Sequence, residues 1–153
     1  MPKIEITSTP IQTGTGYPAP FNEGYEGRAK QALGDAAGLD QFGVNLTMLQ
    51  PGAASAQRHW HENEDEFVYI IDGEVTLIDE DGETILRAGE AAGFKAGVAN
   101  GHQLVNRSNA PARFLEVGTR STQERAHYPD IDLAFEEDEN GERFTHKDGT
   151  PYA

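Results

Sequence analysis

His59 and His61 stand two residues apart in Arg58-His59-Trp60-His61, and on an extended strand that spacing turns both imidazoles to one face. Paired imidazoles of this kind form a clamp for a divalent metal. Glu66 follows after the polar stretch Glu62-Asn63-Glu64-Asp65. If that stretch turns, Glu66 opens the next strand with its carboxylate beside the two rings. His102 begins a later segment, Gly101-His102-Gln103-Leu104-Val105-Asn106, after a turn at Gly97, and an adjacent strand there brings in a fourth ligand. Three nitrogens and one oxygen leave one or two coordination positions open to a substrate. The chain has no cysteine, which excludes disulfides, thiolate ligands, iron–sulfur clusters and a cysteine nucleophile together. A donor set of nitrogen and oxygen accepts zinc, manganese, nickel, iron or copper, and the sequence does not choose among them.

These residues need many short strands to hold them, and the chain supplies the punctuation for that. From Phe42 onward, β-branched and aromatic segments are separated by Gln50-Pro51-Gly52, Asp72-Gly73, Asp81-Gly82, Ala88-Gly89, Ala96-Gly97 and Asn109-Ala110-Pro111. Val44, Leu46 and Met48 alternate with Asn45, Thr47 and Leu49, as in a strand with two unlike faces. Glu80-Asp81-Gly82-Glu83 reads as a hairpin turn. An all-β fold follows, a small antiparallel barrel or jelly roll. With 153 residues the chain suits one domain, divided into an N-terminal extension (1–40), a barrel core (41–120) and a C-terminal extension (121–153). In the first part, Arg28 to Leu33 is expected to form one short helix ending at Gly34. In the last, Glu136-Glu137-Asp138-Glu139-Asn140-Gly141-Glu142 reads as a solvated acidic loop, while Phe135, Phe144 and Tyr152 dock against the barrel or a second copy.

The formal net charge of −14 opposes binding to nucleic-acid backbones and anionic membranes, so neither is expected as a partner. The N-terminal residues carry no apolar secretory core and no run is long enough to span a bilayer, which makes a cytoplasmic protein the expectation. Gly14 and Gly16 run directly into Pro18 and Pro20, so they do not form a phosphate-binding turn before a helix. No serine nucleophile elbow is present.

The spacing from Gly52 to Gly73, G-x6-H-x-H-x4-E-x6-G, resembles the first sequence motif of the cupins. A second cupin motif is recognisable in Gly89, Ala96-Gly97, His102 and Asn106, with fifteen residues between the two motifs. It departs from the family pattern in two ways. Lys95 replaces the usual proline, and four residues separate Gly97 from His102, so that Asn100 is an alternative occupant of the histidine position. His102 alone keeps the following spacing to Asn106. The resemblance implies a jelly-roll barrel, a divalent metal in its wider mouth held by His59, His61, Glu66 and His102, and a homodimer. The chain looks most like small single-barrel cupins called mannose-6-phosphate-isomerase-like or sugar-phosphate-isomerase-like.

The expected function is therefore a metal-dependent cupin that binds a small oxygen-bearing substrate, with isomerisation of a sugar or sugar phosphate as the leading chemistry. The alternatives are an Fe(II)-dependent dioxygenase and a non-catalytic sensor of a metal or metabolite. Glu62, Glu64 and Tyr69 are candidates for a catalytic base. Gln57 shares the parity of His59 and faces the pocket, whereas Trp60 and Arg58 point away from it. Tyr69 and Arg107 are rim candidates, Lys95 could attract an anion, and His127 and His146 default to structural or exposed roles.

Overall fold

The structure is a computed structural model and describes residues 2–153. Its strands are β1 (Gln12–Thr13), β2 (Arg28–Ala32), β3 (Phe42–Leu49), β4 (Trp60–His61), β5 (Glu66–Asp72), β6 (Glu74–Asp79), β7 (Gly82–Arg87), β8 (Ala91–Phe94), β9 (Gln103–Val105), β10 (Ala112–Thr119), β11 (Glu124–His127), β12 (Ala134–Asp138) and β13 (Gly141–Thr145). One helical turn, α1 (Leu33–Ala36), interrupts them. Six strands form a sheet in the order β1-β2-β3-β10-β5-β8, and the others form β7-β6-β9 and β13-β12-β11-β4. All the strand pairs are antiparallel. Single bridges from Ala54 to Val105 and from His59 to His102 join the β9 edge to the segment that leads into β4.

The core follows from side-chain alternation on these strands. Leu49 on β3, Val68 and Ile70 on β5, and Ala112 and Phe114 on β10 turn inward and meet Val75, Leu77, Leu86 and Leu104 from the three-stranded sheet. Phe67, Tyr69 and Ile71, the alternate residues of β5, remain exposed. Further along β10 and β5, the same inward parity reaches Glu116, Gly118 and Glu66, so the apolar floor gives way to a polar mouth. Among the described residues, no helix is long and apolar enough to cross a membrane.

Turn chemistry fixes the strand order. Glu80 and Asp81 connect β6 to β7 as expected, with the positive φ carried by Gly82 (121°). Gly73 makes the sharper link from β5 to β6 at φ 78°, where a Cβ would lie 2.7 Å from both Ala112 Cα and the Pro111 carbonyl oxygen. Buried Asn106 closes the end of β9: its amide donates to the carbonyls of Leu49 and Ala110, and its oxygen accepts from Ser108.

Two sequence expectations are corrected. The segment from Arg28 to Ala32 is strand β2, not a helix, and only Leu33 to Ala36 turn helically. Its neighbour β3 offers an edge of unpaired backbone groups, and five residue pairs from Arg28↔Leu49 to Ala32↔Asn45 satisfy them, which outweighs local helix preference. The acidic run is a hairpin, not a loop, with β12 and β13 turning through Glu139 and Asn140. Arg143 holds Glu136 and Asp138 at 2.7 and 2.9 Å, offsetting part of the charge. Phe135 and Phe144 pack on a second core of Ala126, Tyr128 and Leu133, which Tyr17, Phe21 and Tyr152 also cover, so this cluster is built from the two extensions.

Candidate metal centre

β4 carries His61 and β5 carries Glu66, while an isolated bridge between His59, just before β4, and His102, just before β9, positions the other two residues of the cluster. The Nε2 atoms of His61, His102 and His59 lie 2.7, 3.4 and 3.5 Å from a single oxygen, Glu66 Oε1. Glu66 Oε1 and His102 Nε2 are buried without a hydrogen-bond partner. Donor atoms gathered this closely, and not bonded to one another, match the roughly 3 Å separation of neighbouring ligands around a divalent metal with bonds of about 2.1 Å. The residues present fit such an ion.

The opposite ring nitrogens set which atoms face inward. His59 Nδ1 lies 2.7 Å from the Gln57 carbonyl, and His102 Nδ1 lies 3.0 Å from the Asn100 carbonyl. In the neutral imidazole each Nδ1–H donates to its carbonyl, which leaves Nε2 as a lone-pair donor. Phe94 lies flat against His102, with ring centroids 3.6 Å apart. His61 differs, because its Nδ1 has no hydrogen-bond partner and stands 3.8 Å from Glu64 Oε1. Burial opposes the charge on Glu66, but the surrounding imidazoles prevail and hold its carboxyl well below the ordinary range. Burial likewise disfavours charged His61, yet Glu66 and Glu64 leave its pKa raised. Glu64 is pushed up by burial, against the Ser121 N–H that it accepts.

The cluster opens into a cavity of about 450 Å³, lined in part by Asn45, Glu64, Glu116, Tyr128, Phe135 and Phe144. A narrower cavity of about 210 Å³ reaches His61, Glu66 and His102 past Trp60, Phe94 and Lys95. The four sequence candidates His59, His61, Glu66 and His102 thus come together. The alternative, Asn100, does not join them: its amide oxygen accepts from the Glu80 N–H, and its nitrogen lies 3.4 Å from Asp79. Arg58 points away to Asp130 and Glu80, as expected. Trp60 stacks on His127 at 4.4 Å, and His127 also meets Glu62.

Other expectations are revised. The Gln57 side chain lines neither cavity, and only its backbone serves the site. Tyr69 is exposed on the outer face of β5, and Arg107 is paired with Glu83, so neither reaches the rim. Glu116, Tyr128 and Glu124 escaped the sequence reading. Glu116 had a readable signal, because it shares the parity of Ala112 and Phe114. Tyr128 and Glu124 lie beyond the motifs, and only the return of β11 beside β4 reveals them.

The cupin domain model matches residues 45–118. A sugar phosphate isomerase of the cupin superfamily from Silicibacter pomeroyi is 47% identical, over 99% of this chain and 97% of that one, with a TM-score of 0.95. The chain belongs to the cupin superfamily. Its barrel is also similar to an Acidithiobacillus ferrooxidans structure named for sugar phosphate isomerisation, at 28% identity and TM-score 0.73, over 78% of this chain and 76% of that one. The polyketide cyclase RemF from Streptomyces resistomycificus is 21% identical over 78% of this cupin and 79% of its own chain, and its TM-score of 0.62 marks a shared fold. No curated protein matches.

Proposed function

We propose that this cupin is a metal-dependent isomerase of small polyhydroxylated carbonyl compounds, with His59, His61, Glu66 and His102 as its metal ligands. The observation that carries the reading is the convergence of three imidazole nitrogens on Glu66 Oε1 at the edge of a substrate-sized cavity. A bound divalent ion supplies Lewis acidity toward a carbonyl or neighbouring hydroxyls. The protein must then move a proton between adjacent carbons. Glu64 and Glu116 both line the cavity, and the Thr47 hydroxyl donates to Glu116, holding its carboxylate inside the barrel. Of the bases named from the sequence, Glu64 faces the cavity, whereas Glu62 and Tyr69 are absent from its lining. The name of the Silicibacter relative, similar over nearly the whole chain, points to the same reaction class.

The test is elemental analysis, followed by metal removal, reloading and assay of aldose–ketose interconversion in deuterated water. The expected result is about one divalent metal per chain, metal-dependent deuterium incorporation, and sharply lower metal content in His61→Ala and Glu66→Ala variants that remain folded. Unchanged metal content in both variants sinks the ligand assignment. A second reading rests on the donor set, since three imidazoles and a carboxylate with open positions suit Fe(II) and dioxygen. Bound iron and substrate-dependent oxygen consumption without isomerisation favour that reading. Tight metabolite binding with no turnover favours a sensor.

A further inference from the structure

We propose that the substrate is uncharged or cationic at the end remote from the metal and carries no phosphate group, although the structural relatives are named for sugar phosphates. The inference rests on the reading of this cavity as the substrate site and concerns its electrostatic selection. Beside Glu66, the cavity is lined by Glu64, Glu116, Glu137 and Glu142. Among the described residues, none of these carboxylates forms a salt bridge with a lysine or arginine; the charged partner of Glu64 is His61, and its other oxygen accepts the Ser121 N–H.

Arg120, the one cation in the lining, is already committed. Its Nη2 pairs with Asp35, and its Nη1 donates to the Leu39 carbonyl at 3.1 Å. Phosphate sites ordinarily combine free arginine or lysine with a helix N-terminus or a nest of backbone N–H groups. Here the walls are strands, and the four-residue α1 contributes nothing to the lining.

An independent observation concerns the tail hairpin. Glu137 and Glu142 are directly opposite one another in the β12–β13 ladder, and Glu137 is also paired across to Glu124 on β11. Opposed like charges weaken a strand pair. Arg143 does not relieve them, since it engages Glu136 and Asp138. The hairpin therefore keeps an uncompensated negative pair at the cavity wall, where a phosphate dianion is repelled and hydroxyls or an ammonium group can be received. Phe135 and Phe144 add apolar ring faces suited to the C–H faces of a sugar and to a cation. Lys95, the other cation near the cluster, lines the separate 210 Å³ cavity, so phosphate binding through that side is the competing arrangement.

The test measures affinity and isomerisation for matched free sugars, amino sugars and sugar phosphates on the metal-loaded protein. Phosphate esters are expected to bind at least tenfold more weakly than their free counterparts. The double variant Glu137→Gln/Glu142→Gln should raise the ratio of phosphate-ester to free-sugar affinity at least fivefold. Its neutral, isosteric side chains remove a repulsion, so loss of fold is not expected, and circular dichroism checks it. Phosphate esters bound as tightly as free sugars, or more tightly, overturn the inference while leaving the isomerase reading intact. Loss of that affinity in Lys95→Ala then locates the phosphate in the narrower cavity. Failure of every sugar class to bind the metal-loaded protein overturns the isomerase reading and this inference together.

Discussion

Glu124 and His61 each keep one buried polar atom without a hydrogen-bond partner, Oε2 and Nδ1, and a carboxylate oxygen of Glu124 lies within 4.8 Å of a ring nitrogen of His61. The other Glu124 oxygen is fully used. It accepts the backbone N–H groups of Glu62 and Asn63, at 3.1 Å each, and that of Arg125 at 2.7 Å. One side chain thereby holds the turn between His61 and Glu66 and places negative charge behind the His61 ring.

Glu124→Ala should therefore lower stability by about 2 kcal/mol, because the N–H groups of Asn63 and Arg125 lose this acceptor in a partly buried setting, whereas that of Glu62 keeps the Arg125 carbonyl. Metal affinity should fall roughly 10- to 100-fold as His61 loses its supporting carboxylate. Glu124→Gln separates the two effects. Its carbonyl still accepts from the turn, so most of the stability returns, while its amide cannot accept from His61 Nδ1–H. Thermal unfolding and metal-competition titrations check this, and Glu124→Gln binding metal as tightly as the parent would refute the coupling.

Gly73 offers a prediction about the fold alone. Its φ of 78° disfavours any residue with a side chain, and a Cβ there would meet backbone atoms of Pro111 and Ala112 at 2.7 Å. Gly73→Ala should cost about 3 kcal/mol, combining left-handed strain with displacement of β10, whose residues Ala112 and Phe114 are fully buried. Chemical denaturation measures it. A loss below roughly 1 kcal/mol would mean that β10 yields without disturbing the core.

The difference between Gly73 and Arg28 shows what the sequence could disclose. At Gly73, the turn signal and the flanking alternation agree with the tertiary structure, so the break between β5 and β6 was legible, as was the β6–β7 hairpin that follows it. The spacing of His59, His61 and Glu66 was equally legible, because strand parity and one short turn suffice to bring them together. Arg28 to Ala32 lacked an apolar face, and its conformation is decided by the distant edge of β3. Glu137 and Glu142 misled in a different way. Their charge suggested solvation, whereas Phe135 and Phe144 beside them bury one face of the hairpin and Arg143 pairs with neighbouring carboxylates. Contacts that depend on returns of 60 or more residues, such as Glu124 with the turn at Glu62, leave no local pattern to read.

The aromatic cluster beside the site predicts an alkaline limit to stability. Tyr25 and Tyr128 are each 5% exposed, and Tyr17 lies edge-on to both, with centroids 5.8 and 5.7 Å away. Burial is the main cause that raises all three phenol pKa values above the ordinary 10.0. In the unfolded chain these groups release protons near pH 10, whereas the folded cluster retains them, so the native state binds more protons above that pH. Their contribution is thus complete below the unfolded pKa and is lost as pH rises toward the folded values. Each tyrosine adds a slope of about 1.4 kcal/mol per pH unit. Denaturation midpoints from about pH 9 to about pH 11.5 should fall steeply, and Tyr128→Phe should flatten that fall by one such step. Phenolate absorbance provides the second readout, because the three buried rings should ionise only with unfolding. Ionisation of all five tyrosines near pH 10, with the protein still folded, would contradict the prediction. The consequence reaches the metal cluster, since the Tyr128 and His59 ring centroids are 5.7 Å apart and opening this cluster removes a wall of the site.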